Sequence, residues 1–264
     1  MSGRMILALL KRAAVGASAA LVAALTMAAP TAADHSWGNY HWARTSNPFT
    51  VRLGDNVSSA WDPYLQTASS DWSASSVLDT PVVAGSGGNC NIGFRGTVQV
   101  CNRRYGNTGW LGVAQIAVDG DHITAGVVKL NDTYFLTAKY NTPAWRRLVM
   151  CQEIGHTLGL DHTDEVFDNP NQGTCMDYTS NPSGPPSNEH PNQHDYDQLV
   201  TIYTHLDRSS TVSTATAQAS GVALPDAVSD FGRAIRADGR GRPHLFVRDL
   251  GGSQRLFTFV FWAD

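Results

Sequence analysis

Residues 151–162 read CQEIGHTLGLDH and gather an amide, a carboxylate and two imidazoles within twelve positions. On a helix, Gln152 and His156 lie four residues apart, about 6 Å along the axis and on nearly one face, so both can reach one ion. Glu153 follows one residue on, where its carboxylate can flank such an ion without binding it. Gly159 suits a helix end whose conformation a Cβ would oppose. The chain then doubles back, and His162 returns toward the same point. Imidazole is a good zinc donor and a neutral amide oxygen a poorer one. The spacing points to a divalent cation, activated water and a general base.

The elements that must hold these groups can be read from periodicity. Thr142 and Pro143 supply a cap and a first helical position, and AWRRLVMCQEIGHTL carries that helix to Gly159. Upstream, FTVRL at residues 49–53 alternates like a half-buried strand. Val57, Ala60, Trp61, Tyr64, Leu65, Ala68 and Trp72 recur at helical spacing, with Asp55 or Asn56 as cap. GTVQVC, GVAQIAV and ITAGVVKLN read as strands, the last two joined by the turn DGDH at residues 119–122. Asp119 and Asp121 are read as turn chemistry, and a structural calcium ion finds no support in them. Residues 168–193, rich in Asn, Pro, Gly and Ser, form loop. Tyr196, Leu199, Val200 and Tyr203 mark a short closing helix within 194–206. A Ser/Thr/Ala-rich stretch near 208–220 reads as a surface linker. The end of the chain gives two strands around Gly251-Gly252, either packed on the main body or standing as an appendage.

The first 33 residues resemble an export signal: Arg4, Lys11 and Arg12, an Ala/Leu/Val run, then Thr31 and Ala33 at a cleavage position. The run is too short and too Ala-rich for a membrane span. Its removal moves the net charge from −4 to −7, which disfavours a nucleic-acid partner. The expected product is secreted, free of the membrane after signal cleavage, and a monomer. Four cysteines in an oxidising compartment imply two disulfides out of three possible pairings. Cys90–Cys101, closing a local loop, and Cys151–Cys175 are the pairs expected.

QEIGHTLGLDH resembles the long zinc signature of the metzincin metalloproteases, H-E-x-x-H-x-x-G-x-x-H, with Gln152 at the first histidine's place. CMDY at residues 175–178 resembles their Met-turn, and ITAGVVKLN looks like the edge strand of matrixin-like members. The resemblance spans roughly residues 49–206. It implies an α+β metzincin-like protease domain: a twisted, mostly parallel sheet with two long helices and a cleft where extended peptide adds beside the edge strand. It also implies one catalytic zinc ion held by Gln152, His156 and His162. Glu153 would be the general base, Met176 the floor beneath the metal, and Tyr178 a metal-proximal group that binds zinc reversibly or stabilises an oxyanion. Tyr178, Asp161, His190 or His194 could compensate for the weak amide donor, although solvent exposure is the expectation for the last two.

The organisation expected is thus a signal peptide at 1–33, a metalloprotease-like domain at 34–207, and a linker with C-terminal β-hairpin at 208–264. The activity expected is zinc-dependent hydrolysis of peptide bonds in a peptide or protein substrate. The alternative is a catalytically inactive metzincin-like protein that binds peptide or cell-surface material. Only about 15 residues separate the signal from the first strand, too few for a folded pro-domain. With its cysteines paired, the chain has no thiol for a cysteine switch.

Overall fold

The structure, a computed structural model, describes residues 34–87, 90–212 and 219–263. The expected signal segment and residues 213–218 of the expected linker lie outside the described residues. The strands are β1 (His41–Trp42), β2 (Phe49–Thr50), β3 (Arg52–Asn56), β4 (Leu78–Asp79), β5 (Val82–Ala84), β6 (Ile92–Phe94) and β7 (Thr97–Arg103). They continue as β8 (Trp110–Asp119), β9 (His122–Asn131), β10 (Ala219–Ala223), β11 (Arg233–Ala237), β12 (Pro243–Gly251) and β13 (Gln254–Trp262). The helices are α1 (Asp62–Trp72), α2 (Asp132–Phe135), α3 (Pro143–Thr157) and α4 (Gln193–Ile202).

The main sheet runs β11-β12-β13-β8-β9-β7-β3-β5, with β1 paired to the start of β9. The pairs β9–β7, β7–β3, β3–β5 and β1–β9 are parallel. The pairs β8–β9, β13–β8, β12–β13 and β11–β12 are antiparallel. The class is α+β, but the sheet is mixed where a mostly parallel one was expected. Two tight turns cause this. Gly120 at φ +59° reverses β8 into β9, and Gly251 and Gly252, at +100° and +61°, reverse β12 into β13. ITAGVVKLN is also not an edge: β9 lies between β7 and β8, and the outer edge of β8 carries β13.

Helix α3 shows how the sequence builds the site's support. Thr142 accepts from the Trp145 amide at 3.3 Å, and Pro143 occupies the first turn, where its missing N–H costs nothing. At the far end, carbonyls that a helix leaves unpaired are taken up by side chains. The Trp37 and Trp42 indoles donate to His156 O at 3.1 Å and to Thr157 O at 2.8 Å, and the Tyr203 hydroxyl donates to Leu158 O at 2.9 Å. Gly159 then turns the chain at φ +100°, where an added Cβ would lie 2.8 Å from Tyr40 O. The helix of residues 57–72 starts later than its apolar spacing suggests. Pro63 fixes the first turn after Trp61, and Asp55 and Asn56 sit in β3, where Asp55 accepts from the Val57 amide at 3.0 Å.

Ala33–Asp264 form one compact unit. The C-terminal strands pack on the main body rather than standing apart: Leu245, Phe257, Phe259 and Phe261 share one buried cluster with Trp42, Leu148 and Met176. Both expected disulfides are formed, Cys90–Cys101 and Cys151–Cys175. Among the described residues no helix is long and apolar enough to cross a membrane.

Candidate functional site

The two imidazoles of the motif converge. His156 Nε2 and His162 Nε2 are 3.0 Å apart, with the rings edge to face at 4.5 Å. His156 Nδ1 lies 2.8 Å from Leu160 O, so Nδ1–H donates there and Nε2 keeps its lone pair. Burial pushes the His156 imidazole down to about 3 and holds His162 well below the usual histidine range, so both are neutral and ready to coordinate.

Gln152 is turned by its neighbour in the disulfide. Its Nε2 donates to Cys175 O at 2.7 Å, and its Oε1, fully buried, has no partner. That arrangement commits the amide's donor end and leaves the oxygen for a ligand. Glu153 is also buried, and neither carboxylate oxygen has a hydrogen-bond partner. Burial raises it well above the ordinary carboxylate range, while backbone groups of Phe261 and Ala114 pull the other way. Glu153 presses on β8: a Cβ added to Gly112 would meet Val149 at 2.5 Å and Glu153 Oε1 at 2.9 Å. Only glycine lets that strand approach the helix so closely.

Met176 lies against the helix at Gly155, where an added Cβ would meet its sulfur at 2.5 Å and Trp72 at 2.8 Å. Tyr178 packs beside His162 with the rings tilted at 50° and their centroids 4.3 Å apart. Its hydroxyl points to Val260 O at 3.5 Å, and burial, then the nearby Glu153 charge, raise it well above the usual phenol range. The compensating groups considered from sequence are otherwise engaged. Asp161 accepts from the His162 amide and is ion-paired with Arg236. His190 pairs with Asp71 at 2.7 Å, and His194 packs on His35.

The orphaned Gln152 Oε1 and two imidazole nitrogens facing each other at 3.0 Å fit a cation better than an apolar core, where an unpartnered polar atom costs about 1–3 kcal/mol. Gln152 Oε1, His156 Nε2 and His162 Nε2 are the atoms that could hold it. His162 also faces a second neighbourhood: Asp161, His162, Glu165 and His244 bring one donor atom each within 4.8 Å. His244 is buried with both ring nitrogens unpartnered, and burial followed by the Arg236 cation pushes it down to about 4.

Neither a protein-family model nor a curated protein matches the chain.

Sequence reasoning missed the cover over this centre. Strand β13 runs antiparallel to β8 with Phe259 opposite Ala114 and Phe261 opposite Gly112. The Phe259 ring stacks on His156 at 4.1 Å and 11°. The alternating aromatics of RLFTFVFWA signal a half-buried strand. Nothing in them states which edge it joins.

Proposed function

We propose that the protein is a secreted zinc endopeptidase whose own C-terminal strand lies where an extended substrate would pair. The observation carrying this reading is the pair of neutral imidazoles 3.0 Å apart, on the same helix-and-turn as an unpartnered buried carboxylate. Gln152, His156 and His162 would hold the ion, which when bound supplies Lewis acidity to a peptide carbonyl and to water. Glu153 takes a proton from the attacking water and delivers it to the leaving amine. Its raised proton affinity suits the first of these steps, the uptake of the proton. The outer edge of β8 offers the backbone groups along which a peptide would align, as β13 aligns now.

One observation favours a second reading, a non-catalytic binding protein with the same framework. Gln152 replaces a strong donor, and the centre is buried beneath β13.

Bound zinc and casein cleavage, measured on the mature chain and on Phe259→Ala with and without chelator, separate the two. The peptidase reading expects chelator-sensitive cleavage and a loss of about 10²–10⁴-fold in Glu153→Ala. A wild type that cleaves no casein, with activity appearing only in Gln152→His, would establish the binding protein instead.

A further inference from the structure

A second group of imidazoles lies outside this centre, at the seam where the N-terminal strand, the β8–β9 hairpin and the exit of α4 meet. His41 sits on β1 and His122 opens β9, and the two are register partners in a parallel pair. His205 and Asp207 follow α4, 164 and 166 residues beyond His41. Their donor atoms converge. Asp207 Oδ1 lies 3.5 Å from His41 Nε2, 3.3 Å from His122 Nε2 and 3.7 Å from His205 Nε2, and the His41 and His205 Nε2 atoms are 3.1 Å apart.

These separations are informative. Three of the four exceed the usual 2.7–3.2 Å of a good N–H···O hydrogen bond. They lie near the edge of a tetrahedron whose centre is about 2.0–2.1 Å from each donor, about 3.3–3.4 Å, and His41, His122 and Asp207 each place one donor atom within 4.8 Å of the other two, a set that does not extend to His205. The tautomer agrees. His41 Nδ1 is 2.6 Å from Asn39 O, so Nδ1–H donates there and the Nε2 lone pair faces Asp207 Oδ1, itself an acceptor. A cation between them would satisfy both lone pairs.

The carboxylate is also oriented from behind. Asp207 Oδ2 accepts from Arg44 Nη1 at 2.9 Å and from the Arg44 amide at 3.2 Å, and the same guanidinium donates to His205 O. Arg44 therefore occupies one oxygen and leaves the other to the histidines. A backbone bond and a side-chain bond hold the frame: Asp207 N donates to Arg44 O at 2.9 Å, and Asn47 Nδ2 to Tyr203 O at 2.8 Å.

We propose that His41, His122 and Asp207 form a zinc site, with His205 beside it, that clamps the first strand and the segment after α4 to the sheet. The three donors come from three separate segments, so one ion ties β1, β9 and the chain after α4 together. The site does not depend on the peptidase reading.

The test uses the full mature chain, with zinc stoichiometry by elemental analysis and cobalt(II) substitution followed by visible absorption. His156→Ala/His162→Ala removes two donors of the buried centre. It is expected to retain one ion per chain and the intense absorption of tetrahedral cobalt. His122→Ala and His205→Ala alter side chains that are 38% and 55% exposed, so the fold should survive them. His122→Ala is expected to weaken cobalt binding beyond the 10–100-fold typical of changes outside the ligand set, and His205→Ala by no more than that. If the double variant does not fold, the wild type serves, and His122→Ala should lower its zinc count by one. Unchanged cobalt affinity in His122→Ala, or a double variant that folds and binds no ion, overturns the site. Loss of peptidase activity alone bears on the buried centre only.

Discussion

The two histidine groups differ in where their donors come from and in what lies over them. The buried centre draws Gln152, Glu153, His156 and His162 from one continuous stretch, on a helix whose last carbonyls are capped by Trp37, Trp42 and Tyr203. Phe259 closes over it. The seam group draws on three segments far apart in the chain and leaves His122 and His205 open to water. The first arrangement has a spare carboxylate and a strand edge. The second has its carboxylate tied to Arg44, with Asp121 lining the same hollow as His41. Cation chemistry at a substrate needs the first kind of surroundings; joining segments needs only the second.

The largest effect that would break this contrast concerns the cover. Phe259→Ala removes a buried ring from the stack on His156 and should cost about 3–5 kcal/mol of stability, read as a lowered urea midpoint. It should also raise casein cleavage while leaving cobalt binding at the seam untouched. A destabilised chain with no gain in cleavage would show that β13 is simply part of the core.

A smaller effect is set by protonation. In the metal-free protein His156 is held down to about 3, against 6.5 for an unconstrained histidine. Below pH 6.5 the unfolded chain binds a proton that the native chain refuses, so stability is full above 6.5 and is lost as pH falls toward 3. The slope is about 1.4 kcal/mol per pH unit for this one group. Glu153 is raised and acts in the opposite sense: its contribution is full below 4.5 and declines as pH rises. Urea midpoints at pH 7 and pH 5 for wild type and His156→Gln isolate the histidine. Equal pH slopes in the two proteins would remove His156 as the cause.

How far the sequence reveals each region follows from how far apart its parts lie. The helix at 143–157, the turn at Gly159 and the convergence of His156 with His162 are local, governed by caps, φ preferences and an eleven-residue spacing. Strands β7, β8 and β9 are legible from alternation, but their neighbours are not. ITAGVVKLN reads equally well as edge or interior, because pairing is decided by which apolar face reaches which partner. The same limit hides β13 over the centre. It also hides the seam, since His41, His122 and Asp207 carry no common spacing and only the His205-x-Asp207 pair is local. Gln152 is visible in the sequence as a departure. Its fixed orientation is not, because that depends on Cys175 O, 23 residues away.

The smallest expected effect tests how the cover is fastened away from the centre. Lys129 on β9 is buried within the sheet, and its ammonium donates to Asp226 Oδ1 at 2.6 Å, Leu224 O at 3.0 Å and Pro225 O at 3.3 Å. A buried ammonium without partners is costly, so these three acceptors draw the C-terminal segment onto β9. Asp226 itself is partly open to solvent, which screens the pair. Asp226→Asn keeps an oxygen acceptor and removes the charge, and a loss of about 1 kcal/mol is expected. Because the fastening is shared with two carbonyls, the cover should loosen rather than detach. Casein cleavage should therefore rise less than in Phe259→Ala, with the urea midpoint only slightly lowered. Cleavage equal to wild type at a lowered midpoint would mean that Lys129 secures the sheet without controlling access to the centre.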